Sequence, residues 1–353
     1  ESYSWHWVFF VNLPFGIFTV LGLMIFTDET SKDSGLRFDW FGFAALAIAI
    51  GAIQLALDRG EQLGWLESNE ILAEFIVSGV GFYYFLAHSL TASHPFIRFA
   101  LFRDRNFISG CIFMAVMGLV LFSTMALASP FLQNVIGYPV VTAGLLLASR
   151  GFGTLISFMM VSRLMQYFEA RTLIASGLSI TCISLWFMSG WTDQTGAIEI
   201  GIVSIVQGYS FGLVFSPLST AAFLTLPNQL RTDGTAMLTL MRNVASSVGI
   251  AIVIGQLTEG TRRTHAMLVE HINPFNHAMQ MPGVRGVIDM STDVGKAMME
   301  RIVNLQAQII AFSRDELLVL IFILCVLPLA LLISSTRGAL QGKSAAPQPA
   351  PTE

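Results

Sequence analysis

Arg150 and Arg242 are the residues of this chain best placed to do chemistry, because each falls deep inside a long apolar stretch. An arginine at bilayer depth costs from roughly 3 to more than 10 kcal/mol, and it ordinarily faces a protein interior or a water-filled cavity. Arg150 lies about ten residues into the stretch 140–161, roughly 15 Å deep at a rise of about 1.5 Å per residue. Gly151 and Gly153 follow it and admit close approach of a neighbouring helix. Such a cation binds an anionic group or a partner carboxylate, or else donates to backbone carbonyls. Arg242 lies about eight residues into the stretch 234–257, roughly 12 Å from its end. Thr235, Thr239, Arg242, Ser246 and Gly249 form one polar stripe at helical spacing, which faces protein or water rather than lipid. From that depth a long arginine side chain also reaches the surface by snorkelling.

Other residues add less chemistry. Ser204, Gly208, Gly212, Ser216 and Thr220 recur every four residues, a ridge of small side chains on which two helices pack backbone to backbone. Pro217 within that stretch removes a helical hydrogen bond and predicts a bend, a candidate gate. Gln207 and Tyr209 are candidate cavity liners on the same stretch. Acidic groups are scarce at depth: apart from Glu74, the carboxylates near apolar stretches (Asp28, Asp58, Glu199, Glu259, Asp315, Glu316) read as end residues. Proton-driven transport needs a buried carboxylate or histidine, and His88 reads as an interfacial residue. The partner of Arg150 and the main proton-coupling group are therefore expected upstream of residue 1. His265, His271 and His277 lack the spacing of a helical metal pair, so no metal is expected. Cys111, Cys182 and Cys325 are far apart and read as small apolar core residues. Neither a P-loop, a nucleophile elbow nor a GxGxxG motif occurs, so no nucleotide cofactor is expected.

The elements that must position these residues follow from composition. Only 12% of the 353 residues are charged and 54% are hydrophobic, with mean hydropathy +0.67, against about 25% and 45–50% in a soluble chain. The fold class is an all-α polytopic membrane protein, because backbone polar groups in lipid are satisfied within helices. The alternating pattern of a membrane β-barrel is absent. About nine spans are predicted, near 8–27, 40–57, 71–90, 107–132, 140–161, 171–190, 198–224, 234–257 and 315–336. One set of connections plus the tail carries Lys32, Arg37, Arg98, Arg103, Arg105, Arg163, Arg171, Arg231, Arg337 and Lys343, whereas the alternate short loops carry only Arg59. That asymmetry puts the first set and the C-terminus in the cytoplasm. Residues 258–314 read as a long external loop, with breaks at Asn273-Pro274 and Pro282-Gly283. Met298, Ile302, Leu305, Ile309 and Phe312 predict an amphipathic helix in its second half, lying on the membrane or the protein. The stretch 91–106 is a candidate hinge, and residues 337–353 form a tail of disordered composition. A net charge of −4 with no basic block argues against nucleic-acid binding. No charged region precedes the first span, so it is not a signal peptide, and the chain reads as the C-terminal part of something longer.

Several motifs resemble one family. Trp5-His6-Trp7-Val8-Phe9-Phe10-Val11-Asn12-Leu13-Pro14-Phe15-Gly16 resembles the entry to the sixth helix of fourteen-span drug:proton antiporters of the major facilitator superfamily (EmrB/QacA type). The resemblance continues through Phe38-Asp39-Trp40-Phe41-Gly42, Leu57-Asp58-Arg59-Gly60, Leu101-Phe102-Arg103-Asp104-Arg105-Asn106-Phe107 and Leu240-Met241-Arg242-Asn243 with Ser247-Val248-Gly249. It implies that 1–27 ends an N-terminal bundle and that 28–106 holds two linking helices. Residues 107–336 would then form a six-helix C-terminal bundle. The loop 162–171 departs from the family's Gly-Arg-x-x-Asp-Arg-x-Gly-x-Arg pattern, with Ser162, Gln166, Tyr167 and Glu169 at substituted positions and Arg163 and Arg171 retained.

The resemblance implies export of hydrophobic or amphipathic compounds by alternating access, driven by inward proton flow. It implies a cavity bordered by Arg150, Arg242, Asn243, Gln207, Phe211, Phe113, Met114, Met117 and Phe122, with Ser204, Gly208, Gly212 and Ser216 packing helices. Partners would be lipophilic small molecules, protons and the bilayer. By analogy with some relatives, the long external loop would meet a periplasmic adaptor and, through it, an outer-membrane channel. A membrane enzyme acting on lipids is the first rival, but it needs a cluster of His, Asp or Glu near one interface, and none is visible. A non-transporting scaffold is the second, and it leaves two deep arginines without a purpose.

Overall fold

The computed structural model describes residues 6–26, 38–93, 95–272 and 291–332. The readings made for Asn273-Pro274, His277, Pro282-Gly283 and the tail 337–353 lie outside them. The chain divides into two units, residues 1–39 and 40–353. In the first, a helical turn at Trp7–Phe10 precedes α1 (Asn12–Phe26), whose side chains are all at least partly exposed. A helix of this apolar sequence without a buried face is suited to lipid.

The second unit holds eight long helices: α2 (Trp40–Leu63), α3 (Asn69–Thr91), α4 (Arg105–Pro130), α5 (Val140–Tyr167), α6 (Ala170–Ser189), α7 (Ala197–Phe223), α8 (Arg231–Glu270) and α9 (Asp293–Val326). The seven from α2 to α8 are long and apolar enough to cross a membrane. This is a multi-pass membrane protein. Large apolar side chains point outward along these helices, for example Leu145, Phe152, Leu155 and Met159 on α5. Lipid, not water, is the solvent in which that surface is stable.

Packing runs α4 against α8, α5 against α7, α6 against α7, and α9 against both α8 and α6, while α2 pairs with α3 and touches α8. Small residues set the closest crossings. A Cβ on Gly208 would lie 1.8 Å from the Arg150 carbonyl oxygen, and one on Gly153 would lie 1.9 Å from that of Ile205. Helices α5 and α7 thus meet at backbone distance, and the Thr154 hydroxyl donates to the Gly208 carbonyl across the gap at 3.0 Å. Of the small-residue ridge, Ser204, Gly208 and Gly212 are buried and Ser216 is half-buried, as packing between helices without a hydrophobic driving force requires. The helix is continuous through Pro217. Near the other end of the bundle Asp104 caps α4 by accepting from the backbone N–H groups of Asn106 and Phe107 at 2.8 and 3.2 Å. Arg98 holds Asp233 at 2.7 Å, pinning the connection before α4 to the start of α8.

Two expectations need correction. The segment 258–314 is not mainly loop: α8 runs on to Glu270 and α9 begins at Asp293. Met298 through Phe312 is no separate surface helix but the first half of α9, continuous with the last span. A 40-residue helix is about 60 Å long, roughly twice the hydrocarbon thickness. So α8 and α9 extend together well past the membrane, joined there by His265 and Glu300 at 2.9 Å. Cys325 is the other correction. It is exposed on α9 rather than in the core, whereas Cys111 is buried and Cys182 intermediate, and all three are free.

Candidate functional site

Arg150 is 8% exposed, held by the close α5–α7 crossing just described. Its Nη1 donates over a long 3.5 Å to the Leu121 carbonyl of α4, while Nε and Nη2 have no hydrogen-bond partner. The cation is therefore buried and largely unsatisfied, a costly state that a charged partner must relieve. A buried acid of this chain acts on it, whereas the sequence alone led to a partner expected upstream of residue 1. Glu316 on α9 is fully buried, acts electrostatically on Arg150, and leaves both carboxylate oxygens without a hydrogen bond. No direct ion pair joins the two among the described residues.

The sequence reading missed Glu316 because Asp315-Glu316 marked the apparent edge of an apolar run. The helix that carries it starts much earlier, at Asp293, so the acid sits well inside. A signal was present. Met298, Ile302, Leu305, Ile309, Phe312, Glu316, Val319 and Ile323 alternate spacings of four and three, so Glu316 occupies the buried stripe of an amphipathic helix.

Further buried polar groups lie on α4, α5 and α7. Gln207 on α7 is buried and donates from Nε2 to the Thr124 hydroxyl of α4 at 3.4 Å, leaving its own Oε1 unpaired. Ser123 and Ser157 are buried with hydroxyls free of partners. One turn before Glu316, Phe312 stacks on Phe131 with centroids 4.1 Å apart and lies nearly parallel to Trp191 at 6.2 Å. Phe131 opens a π-helical turn, Phe131–Val135, directly after Pro130, which lacks the N–H that regular helix would use.

On the other face of α9 the environment is more polar. Ala311, Asp315 and Leu318 line a cavity of about 620 Å³ together with Glu61 in the last turn of α2 and Trp65 just after it, Gly255, Glu259 and Arg263 of α8, and Arg314. Trp65 Nε1 donates to Glu61 at 3.1 Å. Adjacent residues on a helix lie about 100° apart, so α9 presents Asp315 to this cavity and Glu316 to the bundle interior.

The remaining expected site residues divide. Arg242 is half-buried and reaches only its neighbour, with Nε and Nη2 each 3.4 Å from the Asn243 side-chain oxygen, and Asn243 is exposed. Phe122 and Phe211 are half-buried, the latter stacked on Phe215 at 5.4 Å. Phe113, Met114 and Met117 are buried in the packed core. None of these residues lines the 620 Å³ cavity or the apolar one of about 300 Å³ beside Phe131 and Phe312. No cluster that could hold a metal ion occurs among the described residues.

The family model of the Major Facilitator Superfamily matches residues 1–250. The chain belongs to this superfamily. It is similar to the multidrug export protein EmrB of Escherichia coli (strain K12), 29% identical over 280 residues, 78% of this chain and 54% of that protein. The lincomycin resistance protein LmrB of Listeria monocytogenes is 26% identical, covering 74% and 55%. The fatty acid resistance protein FarB of Neisseria gonorrhoeae is 26% identical, covering 78% and 54%. The chain thus spans about half the length of the curated relatives it matches. Among solved structures, an inward-facing bacterial homologue of the human lysosomal transporter Spinster aligns at TM-score 0.48 and 18% identity, over 84% of this chain and 68% of that one. The motif resemblance to drug exporters of the EmrB type is met by these relatives, and the fold is the all-α one of the superfamily.

Proposed function

We propose that this protein is a secondary active transporter that exports hydrophobic or amphipathic compounds in exchange for protons by alternating access. The observation that carries the reading is a buried, unsatisfied charge centre, Arg150 with Glu316, inside apolar helices of a superfamily whose relatives here are named for multidrug export. Burying such charges without function is a pure cost. Arg150, Gln207, Phe122 and Phe211 would face the substrate path, with Arg242 and Asn243 nearer one mouth and Phe113, Met114 and Met117 behind them. Mostly apolar and aromatic walls with few polar anchors suit varied lipophilic substrates.

The lysine and arginine asymmetry supports an inner-membrane orientation with the C-terminus cytoplasmic. The jointly extended ends of α8 and α9 then lie outside, and they offer the surface on which a periplasmic adaptor and its outer-membrane channel would dock. Proteoliposomes carrying the complete protein test the function: an imposed proton gradient should drive movement of a lipophilic cationic dye, collapsed by a protonophore. Dye movement indifferent to the gradient would overturn proton exchange. A lipid-modifying activity of the same preparation would favour the enzyme reading.

A further inference from the structure

Resting on that reading, we propose that Glu316 is a proton-carrying carboxylate of this bundle, loaded from the polar cavity through Asp315 and discharged against Arg150. The geometry supplies each part. Glu316 is fully buried with both oxygens unpartnered, so it has two ways to be relieved: to take up a proton or to close on a cation. Among the described residues, Arg150 from α5 and Asp315 from its own helix are the charges that act on it. Helix α8 brings Glu259 and Arg263, and the last turn of α2 brings Glu61, to the cavity that Asp315 and Arg314 line. Asp315, which lines this cavity, directly precedes Glu316 on α9. Phe131 and Trp191 stack with Phe312 one turn earlier on α9. Entry through this polar cavity is the path proposed.

The step balances simply. A proton from water in the cavity adds to a carboxylate oxygen of Glu316, giving the neutral acid, and Arg150 is freed to donate elsewhere. When the bundle opens the other way, that O–H bond breaks, the proton leaves to water there, and the anion is held by the guanidinium. Two exclusive states of one carboxylate, proton-bound and arginine-bound, make the coupling. They also give the end of α2 a role, since Glu61 helps to line the entry.

The test uses the complete protein in proteoliposomes and two transport modes, gradient-driven export of a lipophilic cationic dye and gradient-free dye exchange. Glu316→Gln is expected to lose gradient-driven export at least tenfold while exchange persists, and Glu316→Asp to recover part of it. If the unaltered protein shows neither mode, the proposed function fails; if it shows both and Glu316→Gln keeps the gradient-driven one, this inference alone fails. Infrared difference spectra across a pH titration give a second reading that needs no substrate. A protonated carboxylic acid band should appear in the unaltered protein, shift in Glu316→Asp and vanish in Glu316→Gln. Its survival in Glu316→Gln overturns the assignment. Should Glu316→Gln fail to accumulate, the Glu316→Asp shift decides. Glu61→Gln should retain the band but slow proton uptake from the cavity side, and unchanged uptake would remove the cavity from the path.

Discussion

Arg150 and Arg242 sit at similar depth in the sequence and in similar backbone settings, yet their side chains meet opposite fates. The carbonyl of each is covered by a glycine of the facing helix: Gly208 of α7 over Arg150, Gly118 of α4 over Arg242, where added Cβ atoms would lie at 1.8 and 2.3 Å. Beyond the backbone the likeness ends. The Arg150 guanidinium is buried with two nitrogens unpartnered and a buried acid acting on it. The Arg242 guanidinium is half-buried and bonds to the side chain beside it. Glycine crossings fix where a helix sits, and what the neighbouring helices offer then decides whether a charge is strained or at ease. Equal depth does not make equal function.

The comparison breaks first at the glycines, where the largest effect is expected. Gly208→Val and Gly118→Val each drive a side chain into backbone, which cannot move aside as a flexible side chain would. Both should cost more than about 3 kcal/mol and leave little folded protein by size-exclusion chromatography. If Gly118→Val folds normally while Gly208→Val does not, the two crossings are not equivalent and the likeness of the settings is lost.

Next come the arginines themselves. Arg150→Met removes a charge that acts on Glu316 and Glu316→Gln removes one that acts on Arg150, and each should destabilise by about 1 kcal/mol or more. Arg150→Met combined with Glu316→Gln should regain most of that loss, a coupling that thermal unfolding in detergent measures directly. Arg242→Met should change stability by no more than about 0.5 kcal/mol. An additive Arg150 and Glu316 pair would show that the two charges do not sense each other.

The sequence carried most of this architecture and half of the site. Helix spans were legible because lipid demands about 20 apolar residues per crossing, and α2 to α8 contain the predicted stretches within a few residues. The Gly208 and Gly212 ridge was legible for a similar reason, since close packing in lipid selects small residues at fixed spacing. Arg150 stood out by its cost alone. Glu316 did not, because a charged pair at the start of an apolar run looks like a membrane boundary, and only the continuity of α9 back to Asp293 places it inside. Phe113, Met114 and Met117 were read as liners but are packed core, because an aromatic or methionine stripe looks alike whether it faces a cavity or a neighbouring helix. The polar cavity was illegible for another reason: Glu61, Glu259, Arg314 and Asp315 come from segments distant in sequence, and only tertiary packing gathers them.

The smallest expected effect is a control on the whole comparison. Glu169, at a position where the resembling family carries glycine, pairs with Arg171 at 2.5 Å, and both side chains are partly exposed. Water screens such a pair, so its worth is about 0–1 kcal/mol and falls as salt rises. Glu169→Gly should therefore shift thermal unfolding only slightly, and the shift should shrink at high ionic strength. The Arg150 and Glu316 coupling should stay constant over the same salt range, since ions do not reach a fully buried carboxylate. If both couplings fade together with salt, Glu316 is wet in solution. Its contrast with the exposed pair, and with Arg242, would then come from packing and not from charge.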